Sequence, residues 1–255
     1  GSGERQRNTG LARYFASKGI ATLVYDKRGV GESEGSYVGI EGNASEKNLK
    51  LLADDAAAAI EYISQHNELS SIPKGMVGIS QAGWIIPLAA VKSNSVEFIG
   101  LWSGPVCKVS EEGIYSRFTG DSDSVEHTVD FQIIKETMKG KISWSKNHGK
   151  DIDPLESLQL LSIPGLWIFG EKDGTIPVDL SISRLGKLIE QGKENFEFIV
   201  KEGLGHDSVI DPTLGVMADW VIRVSGSEKK ALTRPSNSLP SVAGRSQARA
   251  VYGGR

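Results

Sequence analysis

Gly78-Ile79-Ser80-Gln81-Ala82-Gly83 follows the apolar pair Met76-Val77 and runs straight into Trp84-Ile85-Ile86-Pro87-Leu88-Ala89-Ala90-Val91. A short strand is expected to turn sharply into a helix here, with a serine at the apex. Such a nucleophile elbow brings backbone close on both sides, and Gly78, Ala82 and Gly83 are small enough to permit it. The Ser80 hydroxyl would then project above the sheet edge, and the free amide hydrogens of the new helix would aim at whatever it attacks. Alone, the pattern also fits an ordinary glycine-containing turn with a capping serine, so its partners decide.

Two partners lie downstream. Pro164-Gly165-Leu166-Trp167-Ile168-Phe169-Gly170 reads as a buried strand, and Glu171-Lys172-Asp173-Gly174-Thr175-Ile176-Pro177 is the loop at its carboxyl end. A further strand, Phe196-Glu197-Phe198-Ile199-Val200, leads to Glu202-Gly203-Leu204-Gly205-His206-Asp207, which sets a histidine on a glycine-flexible loop. Serine, then aspartate, then histidine, each at a strand's carboxyl end, is an order that chance rarely supplies. The residue types suit the chemistry. A serine hydroxyl is a weak nucleophile at neutral pH, so the His206 imidazole must take its proton during attack and return it to the leaving group. Asp173 would hold the required tautomer, and the Gln81 N–H would face the developing oxyanion.

With 255 residues the chain can hold one large α/β domain with an insertion or two small domains, and the periodicity favours the first. Net charge is −3 without a basic face, which argues against nucleic acid as a partner. The 30 glycines suit many tight turns between strands and helices. Cys107 is the single cysteine, so no internal disulfide can form; a small buried or loop residue is expected there rather than a nucleophile. No apolar run approaches the ~18 residues of a membrane span. No signal peptide is seen, although the chain does not begin with methionine.

Gly1-Ser2-Gly3 fits either an added leader or the remains of a Gly-rich oxyanion loop. A helix is expected from Thr9 to Lys18, ended by Gly19, then a buried strand at Ile20-Ala21-Thr22-Leu23-Val24-Tyr25. The polar loop Asp26-Lys27-Arg28-Gly29-Val30-Gly31-Glu32-Ser33-Glu34-Gly35 is of the kind that sits beside a site; it lacks the lysine-serine/threonine pair of a phosphate-binding loop. Asn43 to His66 reads as a long amphipathic helix with Leu49, Leu52, Ala56, Ala59, Ile60 and Ile63 on one face. Val96 to Trp102 is the next strand. The sheet rhythm then breaks over 104–161, which is read as a lid with helix around Val125 to Lys139 and with His127 and His148 solvated. Helices are expected again at Pro177 to Gln191 and Asp211 to Val224, and residues 225–255, rich in Ser, Arg, Lys and Pro, as a disordered tail.

These features together resemble the α/β-hydrolase superfamily, and more narrowly its bacterial-type branch of carboxylesterase-like and dipeptidyl-aminopeptidase-like serine hydrolases. The resemblance spans residues 1–224. It is carried by Gly1-Ser2-Gly3 with Arg7-Asn8, by Tyr25-Asp26-Lys27-Arg28-Gly29-Val30-Gly31-Glu32-Ser33, by the Ser80 elbow running into Trp84, by Gly170-Glu171-Lys172-Asp173 and by Gly205-His206-Asp207. It implies a mostly parallel sheet flanked by helices and an inserted lid. It also implies an esterase acting on a small-molecule ester or acyl substrate through Ser80, Asp173 and His206, with no metal and no organic cofactor. The second oxyanion donor would be the backbone of Ser2. Two departures stand out. Ala82-Gly83 replaces the usual glycine two places after the serine. The N-terminal strands are missing: family members carry a hydrophobic strand ending in His-Gly just ahead of this Ser-Gly. That strand would lie between those ending at Tyr25 and Ile79, so the middle of the sheet is expected to be open, with unpaired backbone on both inner strands.

Peptidase, thioesterase and acyltransferase chemistry share this triad and fold. A peptidase acting at free amino termini would need an acidic anchor, for which Glu111 and Glu112 are candidates. A non-catalytic or truncated ligand-binding relative is the competing class. Trp84, Trp102 and Tyr37 would line an apolar substrate pocket, unless they are plain core.

Overall fold

A computed structural model describes residues 9–123, 130–141, 144–231 and 251–252. The apolar runs form β1 (Gly75–Ile79), β2 (Phe98–Trp102), β3 (Gly165–Gly170) and β4 (Phe196–Lys201), joined by a two-residue strand β5 (Val251–Tyr252). All neighbours pair in parallel, in the order β1-β2-β3-β4-β5. Every residue of β2 and β3 is buried, as a central strand covered on both faces requires.

The two-residue period of the strands divides the core. Ile99, Leu101, Trp167 and Phe169 pack with α3 (Glu46–Ser64), α4 (Ala82–Lys92) and α8 (Val178–Glu190) on one face. Phe98, Trp102, Leu166 and Ile168 pack with α1 (Thr9–Ser17) and α9 (Asp211–Ala231) on the other. This is the expected parallel sheet flanked by helices, built from strands whose side chains alternate between two hydrophobic layers. The helix predicted over Asn43 to His66 divides into a short α2 (Ile40–Asn43) and α3. The break falls where the Ser45 hydroxyl caps α3 by accepting from the Asn48 N–H at 3.3 Å.

Ile20 to Tyr25 is not a strand of this sheet. The segment has no regular secondary structure and pairs with no strand among the described residues, and Leu23 and Tyr25 are exposed. A buried strand needs hydrogen-bonded neighbours to satisfy its amides, and here only Ile20 packs against the α1/α9 layer. β1 pairs with β2 alone among the described residues, and only Met76 in it is buried, so β1 is the edge of the described sheet. α9 runs to Ala231, beyond the expected stop at Val224, through Glu228-Lys229-Lys230-Ala231, all good helix formers. Residues 232–250 and 253–255 of the expected tail lie outside the described residues.

Between β2 and β3 the chain forms α5 (Val109–Thr119), α6 (Phe131–Thr137) and α7 (Pro154–Leu158). Tyr115, Phe131, Ile134 and Met138 make a small core of their own there. The segment around His127 lies outside the described residues. No helix among the described residues is long and apolar enough to cross a membrane.

Candidate active site

Ser80 sits between β1 and α4 with φ +55°, a left-handed conformation that a serine adopts only when its surroundings hold it there. The Ser80 N–H donates to Trp102 O at 2.9 Å, tying the turn to β2. The close approach inferred from the small residues is real. A Cβ on Gly78 would stand 2.4 Å from the Ala82 Cβ, and one on Gly83 2.6 Å from the Pro105 nitrogen. Gln81 is the N-cap residue immediately before α4, and its N–H has no acceptor among the described residues, as for the first amides of any helix.

His206 Nε2 lies 3.0 Å from Ser80 Oγ. On its other side Nδ1 lies 3.0 and 2.9 Å from the two oxygens of Asp173. Asp173 is fully buried. Its Oδ1 also accepts from the N–H groups of Thr175 at 2.9 Å and Ile176 at 3.0 Å, so the loop after β3 is wound around its own carboxylate. The structure thus brings together three side chains that enter from the ends of β1, β3 and β4. An Nδ1–H donated to Asp173 leaves the Nε2 lone pair facing the serine hydroxyl, the tautomer needed for proton abstraction.

The electrostatics follow from burial and acid placement. Burial works against the imidazolium of His206, but the hydrogen bond and charge of Asp173, aided by Asp207 and Asp123, outweigh it and raise the pKa above 6.5. Glu112 on α5 is raised to about 7, by burial first and then by Asp121 and Asp173, with His206 opposing. Glu111 is occupied elsewhere: it pairs with Arg184 of α8 at 2.8 Å and accepts from the Lys108 N–H.

Ser2 lies outside the described residues. Trp84 and Trp102 are core, contrary to the pocket-lining expectation. Trp102 has no exposed surface and sits in the α1/α9 layer. Trp84 is buried with its indole N–H donated to Cys107 O at 2.7 Å. At the end of a doubly covered sheet, large aromatics fill the space between layers. Tyr37 is exposed. Cys107 is wholly buried, which drives its thiol pKa well up, the opposite of an activated nucleophile.

Sequence reasoning missed three supports. Ser103, at the end of β2, donates to His206 O at 2.9 Å. Asp123 Oδ1 accepts from the N–H groups of Gly174 at 3.1 Å and His206 at 3.2 Å, joining the acid and histidine loops. Lys27 Nζ donates to Gln81 Oε1 at 2.7 Å. The one signal of these in the sequence is the polar loop holding Lys27, which is of the kind that sits beside a site. Among the described residues no group of three or more His, Cys, Asp and Glu side chains is arranged to hold a metal ion.

The profile of the family described as serine aminopeptidase, S33, matches residues 3–120. A polyketide transferase of Penicillium crustosum is 30% identical over 105 residues, 41% of this chain. The chain spans only 32% of the length of that curated relative. Among solved structures, an esterase of Pyrococcus furiosus superposes with a TM-score of 0.61 at 14% identity, over 88% of this chain and 76% of that one. A monoacylglycerol lipase of Paleococcus ferrophilus does so with 0.56 at 15% identity, over 88% and 91%. An esterase of Thermogutta terrifontis gives 0.56 at 16% identity, over 88% and 87%. At such identities the likeness is one of fold.

Proposed function

We propose that this chain is a serine hydrolase of the α/β-hydrolase superfamily, cleaving carboxylic esters of small molecules through an acyl-enzyme on Ser80. The observation that carries the reading is the continuous chain Ser80 Oγ to His206 Nε2 at 3.0 Å and His206 Nδ1 to buried Asp173 at 2.9 Å. Ser80 Oγ attacks the ester carbonyl while Nε2 takes its proton, and the resulting imidazolium is stabilised by Asp173. The carbonyl oxygen, now negative, is met by the Gln81 N–H; the family resemblance assigns a second donor to the Ser2 backbone. Collapse expels the alcohol, which receives the proton from Nε2. Water, deprotonated by the same nitrogen, then releases the acid and restores Ser80.

Ser80→Ala is expected to lower turnover of short nitrophenyl esters by several orders of magnitude; unchanged turnover would end the reading. A fluorophosphonate probe separates it from a non-catalytic ligand-binding protein, because only an activated Ser80 is labelled.

A second reading, hydrolysis of amides at a free amino terminus, is favoured by Glu112. Its carboxyl has no hydrogen-bond or ion-pair partner among the described residues, and its charged neighbours include His206 and Asp173. A substrate ammonium there would offset the burial and acid repulsion that raise its pKa. Unblocked aminoacyl nitroanilides decide: Glu112→Gln should raise their KM and leave nitrophenyl acetate turnover alone if this reading holds.

A further inference from the structure

The Gln81 side chain is held at both ends of its amide. Lys27 Nζ donates to its Oε1 at 2.7 Å, and its Nε2 donates to Asn43 O at 3.0 Å. Gln81 is nevertheless almost wholly buried, although the residue after a nucleophile needs only its backbone N–H for the reaction. Asn43 O is itself fixed, since it also accepts from Asn48 Nδ2 at 2.8 Å, beneath the first turn of α3.

The loop that supplies Lys27 is equally anchored. Arg28, the next residue, forks onto Asp55 of α3 through Nε at 2.7 Å and Nη2 at 2.5 Å. The Ser33 hydroxyl closes the loop on Asp26 O at 2.7 Å. Lys27 therefore projects from a braced platform, and its ammonium is placed where burial opposes its charge, lowering its pKa. A charge kept in such a place needs a compensating partner, and the Gln81 carbonyl oxygen is one.

We propose that Lys27 is a positioning residue of the oxyanion hole, holding the Gln81 N–H in line through the side-chain amide of Gln81 itself. The inference rests on the reading of Ser80 as nucleophile. The amide spans from the Lys27 loop to the end of α2, so the residue that leads into α4 is held from two directions. Rotation of the Gln81 peptide would strain the two hydrogen bonds of its side-chain amide. An oxyanion donor acts by being in place before charge develops, and a displacement near 1 Å at a reacting centre costs about a hundredfold in rate.

The test uses the full chain and nitrophenyl acetate. Lys27→Met and Gln81→Met each keep the Gln81 position's N–H and remove the brace. Each is expected to lower kcat by about 10- to 100-fold with KM changed by less than about twofold. Affinity for a trifluoromethyl ketone, which forms the oxyanion on binding, should fall in parallel. The double variant should be no worse than Gln81→Met alone, because that change already removes the Lys27 contact, and Lys27→Arg should recover most of the loss of Lys27→Met. A kcat near wild type in Lys27→Met, losses that multiply in the double variant, or a lowered melting midpoint with kcat per folded enzyme intact would each overturn the proposal. If Lys27→Met does not fold, Gln81→Met and Gln81→Leu carry the same comparison. Retained turnover in Ser80→Ala would refute the nucleophile reading beneath it, whereas a dead Ser80→Ala beside a normal Lys27→Met refutes the positioning role alone.

Discussion

Replacing Asp173 by asparagine exchanges one oxygen for an NH2 group and should nearly abolish the proposed esterase activity. The buried carboxylate takes Nδ1–H from His206 at 2.9 to 3.0 Å and two backbone N–H groups on Oδ1. An asparagine can keep its oxygen on Thr175 and Ile176 only by presenting its NH2 to Nδ1. Nδ1 must then accept, the ring proton moves to Nε2, and an N–H points at Ser80 Oγ, 3.0 Å away, where a lone pair is needed. With the wrong tautomer the expected loss in kcat is about ten-thousandfold, or roughly 5.5 kcal/mol of barrier at about 1.4 kcal/mol per decade. The pH profile carries a second signature. In the wild type the His206 pKa lies above 6.5 because Asp173 outweighs burial, so the acid limb of kcat/KM falls above pH 6.5. Without the Asp173 charge, burial is opposed only by Asp207 and Asp123, and the limb moves to lower pH. Initial rates on nitrophenyl acetate from pH 5 to 9 in both proteins test both points. A loss under tenfold, or an acid limb displaced upward, would refute the argument that Asp173 sets the tautomer and charge of His206.

Trp102→Ala should cost about 3 to 5 kcal/mol of stability in denaturant melts, since the side chain has no exposed surface; a raised KM with unchanged stability would restore it to the substrate pocket. Gly83→Ala should destabilise by about 1 to 3 kcal/mol and depress activity, because its methyl would meet the Pro105 backbone at 2.6 Å, which a comparison of melting midpoint and fluorophosphonate labelling would show. Because the folded pKa of His206 is raised, the stability contributed by its pairing is complete below its unfolded value of about 6.5 and declines as pH rises through the folded pKa. The difference in melting midpoint between the wild type and His206→Gln should therefore shrink from pH 6 to pH 8.

The convergence of Ser80, Asp173 and His206 could be anticipated because each lies within five residues of the carboxyl end of an apolar strand. When a parallel sheet forms, the carboxyl ends of its strands share one rim, and short loops leave their residues little room to be elsewhere. Gly78 and Gly83 were similarly legible, since the crowding that excludes a Cβ arises within a few residues of Ser80. Ile20 to Tyr25 misled for the complementary reason: apolar, β-branched composition licenses a strand, but whether a neighbour is present to pair with it is not a local property. Trp102 and Trp84 misled because pattern reveals that a side chain is apolar and not which layer it enters.

The order and spacing of the chain alone determined the layer architecture, the serine elbow and the identity of its two partners, because these depend on hydrophobic period and on residues whose chemistry is rare. Only the folded molecule decided what braces them. Ser103 meets the His206 carbonyl across 103 positions, Lys27 meets Gln81 across 54, and Asp123 meets the His206 amide across 83. Serines, lysines and aspartates are common, and a hydrogen bond between two of them leaves no trace along the polymer. Its existence depends on strand register and loop path, which three dimensions settle and one does not.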